Sequence, residues 1–383
     1  MELLNATRMK AAYTMGVKPD GRELLVVVVK GTFSIPKSPS EVPELAEKQA
    51  DLVMADEFTG EPGFSAPKYE SDFAPFKPRC DVILNGSAYA PGGEPTKRVR
   101  VGLQVGSMRK VFDVVGHRHW KKLLLWVYRS EIEPFTVMPF SYDDAFGGVD
   151  RSHTDEKKHE PYLPNIAGRG FHYRLHKKAI QGKPLPNTQG VGRPVRRPRG
   201  KYRPMSFGAI GRAWQTRPKY AGTYDQNWLD NVFPFLPPDF DDHYFQCAPE
   251  DQQIDHPRGG EGVALLNLTP EGQTAFKLPV VDLPVIFYLK NQDEQKKNAV
   301  ADTIIIEPDQ RCFMMVWRTA LPLKRNIFDV AQVVVGTMPR AWYRARELGK
   351  TWYPSLKELV DERVSERSES AEEFEEVVEG ANP

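Results

Sequence analysis

Eight histidines, three cysteines and one tight run of carboxylates are the groups in this chain that could hold a metal or move a proton. His117 and His119 are two apart, so on a strand they share a face and could serve a metal. No third ligand stands near them in a recognisable pattern, and an ordinary polar strand end is the preferred reading. His172 and His176 have the helical spacing of a zinc pair, but Tyr173-Arg174-Leu175 between them lacks the central Glu of a metalloprotease helix. Cys80, Cys247 and Cys312 are far apart and have no partner at two-residue spacing. Cys247, in Phe245-Gln246-Cys247-Ala248-Pro249, reads as core packing rather than as an activated thiol. Asp239-Phe240-Asp241-Asp242-His243 follows Leu236-Pro237-Pro238. Carboxylates two apart can pair for acid–base work or bind calcium. In turns such aspartates accept backbone N–H bonds, and turn chemistry is preferred here. There is no Gly-x-Ser-x-Gly elbow and no phosphate loop ending in Gly-Lys-Ser/Thr. No catalytic residue, metal or cofactor is assigned.

The elements that would position such groups read as mostly β. Residues 24–29, Leu-Leu-Val-Val-Val-Val, follow the turn Pro19-Asp20-Gly21 and look like a strand hidden on both faces. Val99, Val101, Leu103 and Val105 alternate with Arg100, Gly102 and Gln104, the period of a half-buried strand. Residues 81–90 read as a strand entering the turn Pro91-Gly92-Gly93, and 123–127 as the end of a meander. Further strands are expected at 262–268, 280–289, 303–306 and 312–318, while 330–335 is ambiguous. Residues 37–78 are rich in proline and acid and read as a long, partly ordered connection. Residues 141–260 keep neither period, yet Phe146, Phe171, Phe207, Trp214, Tyr224, Trp228 and Phe240 should pack them onto a sheet. Ser355 and Glu358 form a capping-box pattern ahead of a helical, acidic tail. The expected architecture is two packed antiparallel sheets or barrel-like halves, with long loops and a C-terminal helix. Residues 1–340 would form the β-rich domain, with sub-domains near 1–140 and 260–340 bridged by 141–259, and 341–383 the tail.

Composition agrees with a loop-rich globule. There are 33 prolines among 383 residues, and 40% of the chain is hydrophobic. No apolar stretch approaches the length of a membrane span, and no signal peptide is visible at the first residues. The three cysteines fit a reducing compartment, so a cytoplasmic location without membrane insertion is expected. Net charge is +1, but residues 151–219 hold 17 Lys+Arg against 3 Asp+Glu, and 356–383 hold 3 against 10. The stretch 192–203, with Arg196, Arg197, Arg199 and Tyr202, could track a phosphate backbone. A solvated loop meeting an acidic protein explains it as well, and nucleic acid is the weaker reading. Gly222-Thr223-Tyr224-Asp225-Gln226-Asn227-Trp228 and Arg258-Gly259-Gly260-Glu261 join glycine, rings and charge, with a charged pair expected to tie each loop down. That suits a rigid binding surface better than a reaction centre.

Those dense pieces also carry a resemblance. They include Pro75-Phe76-Lys77-Pro78-Arg79-Cys80-Asp81-Val82, Asn85-Gly86-Ser87-Ala88-Tyr89-Ala90-Pro91-Gly92-Gly93, Met138-Pro139-Phe140 and Ala145-Phe146-Gly147-Gly148. Asn165, Gly168-Arg169-Gly170-Phe171, Leu185-Pro186-Asn187, Phe207-Gly208-Ala209-Ile210 and Trp214 follow. The set closes with Gly222-Thr223-Tyr224-Asp225, Trp228, Leu236-Pro237-Pro238-Asp239-Phe240-Asp241, Ala248-Pro249-Glu250-Asp251-Gln252 and Arg258-Gly259-Gly260-Glu261. Over residues 20–290 the chain resembles the type VI secretion effector adaptor family first catalogued as domain of unknown function 2169. The basic run 193–203 is longer than that family's usual loop, and the acidic tail has no counterpart to carry over. The resemblance implies a non-enzymatic, chaperone-like adaptor that binds a toxic effector and helps load it on the VgrG spike or its PAAR tip. No catalytic residues come with it. Arg169, Phe171, Trp214, Tyr224, Asp225, Trp228, Asp239, Asp241, Arg258 and Glu261 are the candidate partner-binding or scaffold residues. A carbohydrate-active hydrolase using Asp239 with a second carboxylate, or a nucleic-acid binder, is the alternative.

Overall fold

The computed structural model describes residues 1–291, 293–353 and 360. The capping box at Ser355 and Glu358 and the acidic tail beyond it lie outside the described residues. The protein is mostly β, with several sheets and no closed barrel among the described residues. It divides into two compact units, Met1–Gly336 and a second that begins at Thr337.

Three sheets build the first unit. The largest has six strands in the order Gln253–Ile254, Cys80–Leu84, Val300–Glu307, Cys312–Pro322, Glu23–Ser34 and Lys10–Val17. A five-stranded sheet runs Thr188–Gln189, Met108–Val115, Arg98–Val105, Gly262–Leu266 and Gln273–Lys277. A four-stranded sheet runs Glu2–Asn5, Val330–Val335, Pro284–Leu289 and Glu294–Asn298. Most neighbours are antiparallel, but Cys80–Leu84 pairs parallel with Val300–Glu307, and Glu2–Asn5 pairs parallel with Val330–Val335. One continuous core joins all three sheets. Val27 and Phe313 come from the first, Val101, Phe112 and Val263 from the second, and Phe287 and Val333 from the third. Aromatic rings stack within it, Phe313 lying 5.4 Å from Phe33 and 5.0 Å from Phe276.

The unbroken apolar run in Glu23–Ser34 now has a cause. Leu25, Val27 and Val29 face the main core, while Val26, Val28 and Val316 form a second layer on the other face. Leu52 and Phe73, from the irregular stretch 37–78, cover that layer. This stretch is a strap rather than a partly ordered connection. Gln49 donates to the backbone of Thr32 at 3.0 Å, and Asp72 accepts from Lys30 Nζ at 3.0 Å. Farther along the same outer face, Ile83, Ile305 and Met314 are covered by Ala209, Cys247 and Ala248. The loop-rich middle of the chain therefore serves as the lid of the large sheet.

Three local expectations are refined. Residues 81–90 are two strands, Cys80–Leu84 and Gly86–Tyr89, because the chain leaves the large sheet at Asn85 to pair with Val137–Phe140. The ambiguous segment at 330–335 is a central strand of the four-stranded sheet. The apolar run at 123–127, read as the end of a meander, spans the tip of a hairpin, with the turn at 124–125. Trp120–Leu123 folds back on Trp126–Arg129, and Leu124 adopts a positive φ of 53°. In the second unit the helix Arg340–Glu347 carries Arg346 over the Trp342 ring at 5.5 Å. No helix among the described residues is long and apolar enough to cross a membrane.

Candidate docking surface and the buried ion pairs behind it

The surface loops of the middle segment are fastened by charges set inside the protein. Strand alternation sends Cys80, Val82 and Leu84 into the main core, which leaves Asp81 facing the lid. Asp81 is fully buried. Its carboxylate accepts from Lys77 Nζ at 2.8 Å, Gln246 Nε2 at 2.7 Å, and the backbone N–H groups of Cys247 and Ala248 at 2.9 and 3.1 Å. Lys77 also donates to Thr303 Oγ1 at 3.0 Å. Burial works against the Lys77 ammonium, but the Asp81 carboxylate beside it holds its pKa well above the usual lysine range. Burial pushes the Cys247 thiol up, and Asp81 pushes it further, so this cysteine is an uncharged packing group.

Two more nodes extend the frame. Arg217 donates to both carboxylate oxygens of Glu70 at 3.1 and 2.8 Å, to the Ile210 carbonyl at 3.0 Å and to the Tyr244 carbonyl from Nε at 3.1 Å. One guanidinium thus ties the strap to two lid loops. Glu70 also pairs with Arg212, which reaches Asp56 at 2.8 Å. Gln252 donates to the Val82 and Phe207 carbonyls, both at 2.8 Å, and accepts from Lys110 Nζ at 2.6 Å.

Lys110 is buried, and desolvation lowers its pKa to about 8 despite the nearby Asp251 carboxylate. A lysine whose folded pKa lies below its unfolded value is held protonated longer by the unfolded chain. Stability gained from this group therefore rises with pH between about 8 and its unfolded value near 10.4. Relative to Lys110→Met, the wild type is expected to gain about 3 kcal/mol across that window. Urea midpoints measured against pH for both proteins check this, and parallel curves would refute it.

The residues singled out in the sequence do not meet in one place. Arg169 is a scaffold residue, donating to the Asp143 carbonyl at 2.9 Å and pairing with Asp144. Phe171 packs against Tyr162 at 5.3 Å and Phe146 at 6.4 Å. Trp214 is buried edge-on against Tyr142 at 5.3 Å. Glycine is required beside them, since a Cβ on Gly147 would lie 2.1 Å from the Asn165 carbonyl oxygen. Arg258 and Glu261 sit in a separate turn. There the Glu261 carboxylate accepts the backbone N–H groups of Arg258 and Gly259 at 2.8 and 2.9 Å. A carboxylate–backbone lock closes this loop, where an ion pair was expected. His176 is not a zinc ligand on a helix but the N-cap of Lys177–Ile180, its Nδ1 accepting from Ala179 at 3.2 Å. His117 Nδ1 lies 3.3 Å from Asn187 Nδ2.

Tyr224, Asp225, Trp228, Asp239 and Asp241 share one loop system. Asp225 caps the helix Gln226–Asn231 by accepting from the Trp228 N–H at 2.8 Å. The Trp228 indole donates to the Phe235 carbonyl at 3.0 Å and stacks edge-on with Tyr224 and Phe233. Asp239 accepts both the backbone N–H and the hydroxyl of Thr223, at 3.0 and 2.7 Å, which lowers its pKa. Asp241 caps the next turn, and the His243 backbone N–H it accepts lowers its pKa too. Both carboxylates are held ionised by turn donors. Around Trp228 the side chains of Tyr224, Leu229, Phe233 and Phe235 are exposed. A recess of about 230 Å³ in the lid is lined by Tyr142, Arg203, Arg217, Tyr220, His243 and Glu250 among others.

Sequence reasoning missed the buried frame, because Asp81 meets Gln246 and Lys77 meets Thr303 only through the tertiary fold. The one local signal was Lys77 four residues before Asp81. It also missed the exposed tip at Leu124.

The described residues thus combine a mostly-β scaffold, charge-locked loops, an exposed aromatic platform and carboxylates engaged in turns. The chain belongs to the family described as "Uncharacterized protein conserved in bacteria (DUF2169)", whose profile matches residues 20–318. No curated protein and no solved structure matches it.

Proposed function

We propose that the protein is a non-enzymatic cytoplasmic adaptor that binds a type VI secretion effector and helps load it onto the VgrG spike or its PAAR tip. The observation that carries this reading is the platform at 224–235. Tyr224, Leu229, Phe233 and Phe235 stand exposed around a tethered Trp228, on a loop system in which Asp225, Asp239 and Asp241 are engaged in turns. Aromatic side chains of few rotamers make effective anchors at protein interfaces, and exposed apolar patches mark interaction sites. An effector with apolar helices would aggregate unless covered, and this platform offers complementary area. Asp239, held ionised by two Thr223 donors, is unsuited to the general-acid role of a hydrolase.

The test is co-purification with the effector and spike proteins encoded beside this gene. Tyr224→Glu/Phe233→Glu is expected to weaken capture about tenfold or more, as loss of two anchors would. Thermal unfolding should stay unchanged, because both side chains are exposed. Undiminished capture, or turnover of a substrate by the purified protein, would sink the adaptor reading.

A further inference from the structure

The hairpin formed by Trp120–Leu123 and Trp126–Arg129 ends in the most exposed apolar cluster of the described residues. Leu123, Leu124, Leu125 and Trp126 are 63, 83, 90 and 78% exposed. Its base is rigid. Trp120 is fully buried and donates from Nε1 to the Gly170 carbonyl at 3.0 Å. Val127 packs into the same cluster as Ile180, Leu185 and Val195. A soluble surface does not normally spend four adjacent large apolar side chains on a convex tip.

Below the tip is a collar of cations. Lys121 and Lys122 lie on the first strand. The Lys122 N–H donates to Gln181 Oε1 at 2.8 Å, bringing the helix with exposed Lys177 and Lys178 alongside. The Trp120 N–H donates to the Lys183 carbonyl at 2.8 Å, and Arg129 reaches the Val195 carbonyl at 3.5 Å. From residue 161 to 224 the chain has 14 Lys+Arg and no Asp or Glu. Glu131, the nearest acid on the hairpin's own strand side, is paired with Lys97 beyond the base.

We propose that this hairpin docks on an anionic lipid bilayer, with the Leu-Leu-Leu-Trp tip entering the interface and the lysine collar meeting the headgroups. The vertical order of the groups is that of a membrane surface: apolar side chains outermost, tryptophan at the boundary, cations behind. Lysine dominates the collar, whereas protein interfaces are depleted in lysine and their energetic centres in leucine. A nucleic acid would use the cations but has no place for three leucines. The inference stands apart from the adaptor reading, since it uses neither the aromatic platform nor any effector.

The experiment is co-sedimentation of the full chain with vesicles of phosphatidylglycerol and phosphatidylcholine, against pure phosphatidylcholine, in low and high salt. Binding to the anionic vesicles is expected, weakened by salt. Leu124→Glu/Leu125→Glu and, separately, Lys121→Glu/Lys122→Glu should each lower it about tenfold or more. Thermal unfolding of both variants should match the wild type. Absence of binding to anionic vesicles, equal binding to pure phosphatidylcholine, or a tip variant that sediments like the wild type overturns the proposal. So does a self-associated protein that the tip variant turns monomeric without any lipid binding, which would assign the tip to a second copy.

Discussion

Asp81→Ala is expected to remove most of the protein's stability. The substitution leaves the Lys77 ammonium buried without its counter-charge and strips acceptors from Gln246 and from two backbone N–H groups. Breaking a buried ion pair from one side costs about 3–5 kcal/mol, and each orphaned donor adds about 1–3. Against a typical total of about 5–15 kcal/mol, the fold becomes marginal. Denaturant unfolding should show a collapsed midpoint or no folded baseline. The informative comparison is Lys77→Met/Asp81→Asn. It removes both charges while keeping an acceptor oxygen for the backbone N–H groups, and should recover about half the loss or more. If the single Asp81→Ala protein unfolds within about 1 kcal/mol of the wild type, the carboxylate is not the fastening point described here.

Arg217→Lys should have the second largest effect, and a more local one. An ammonium cannot reproduce a planar fork that serves Glu70, Ile210 and Tyr244 together. The expected cost is about 3 kcal/mol, since the charge stays while several of its bonds go. The structural consequence falls on the lid. Loops near 210 and 244 lose their tie to the strap at Glu70, so limited proteolysis should cut between 203 and 250 well before the sheets unfold. The aromatic platform at 224–235 belongs to this stretch, so under the proposed adaptor role the variant should also capture effector less tightly without any change to an exposed ring. Cleavage rates equal to the wild type would show that the lid is held elsewhere.

How much of this was legible depends on how far each residue's partners lie along the chain. The alternation at 98–105 was readable because that strand has one face in the main core, and the double-sided burial of 24–29 because it has two. Residues 123–127 read as the end of a meander, which the hairpin agrees with, but their exposure could not be foreseen, since an apolar run normally signals burial. Only the positive φ at Leu124 and the pairing of Trp120 with Arg129 reveal the turn. Asp239 and Asp241 act on neighbours within their own turns or on Thr223, at short range, and turn chemistry could be foreseen. Asp81 meets Gln246, Arg217 meets Glu70 and Gln252 meets Val82 across long stretches of chain, and apart from Lys77 four residues before Asp81 no local pattern marks these contacts. The aromatic residues of 141–260 could be expected to pack, but not which ones stay outside. Trp214 went in and Tyr224 stayed out because the lid needed one and not the other.

The strand Glu2–Asn5 lies parallel to Val330–Val335, with Glu2 opposite Gln332. During synthesis the first strand must therefore wait for residue 335 before its backbone is paired. Until then the backbone N–H and C=O groups of Glu2–Asn5 that face this sheet have no native partner. The four-stranded sheet closes only after residue 335 has left the ribosome. Such long-range closure is slow to find, and it makes pairing of Glu2–Asn5 depend on a strand synthesised far later.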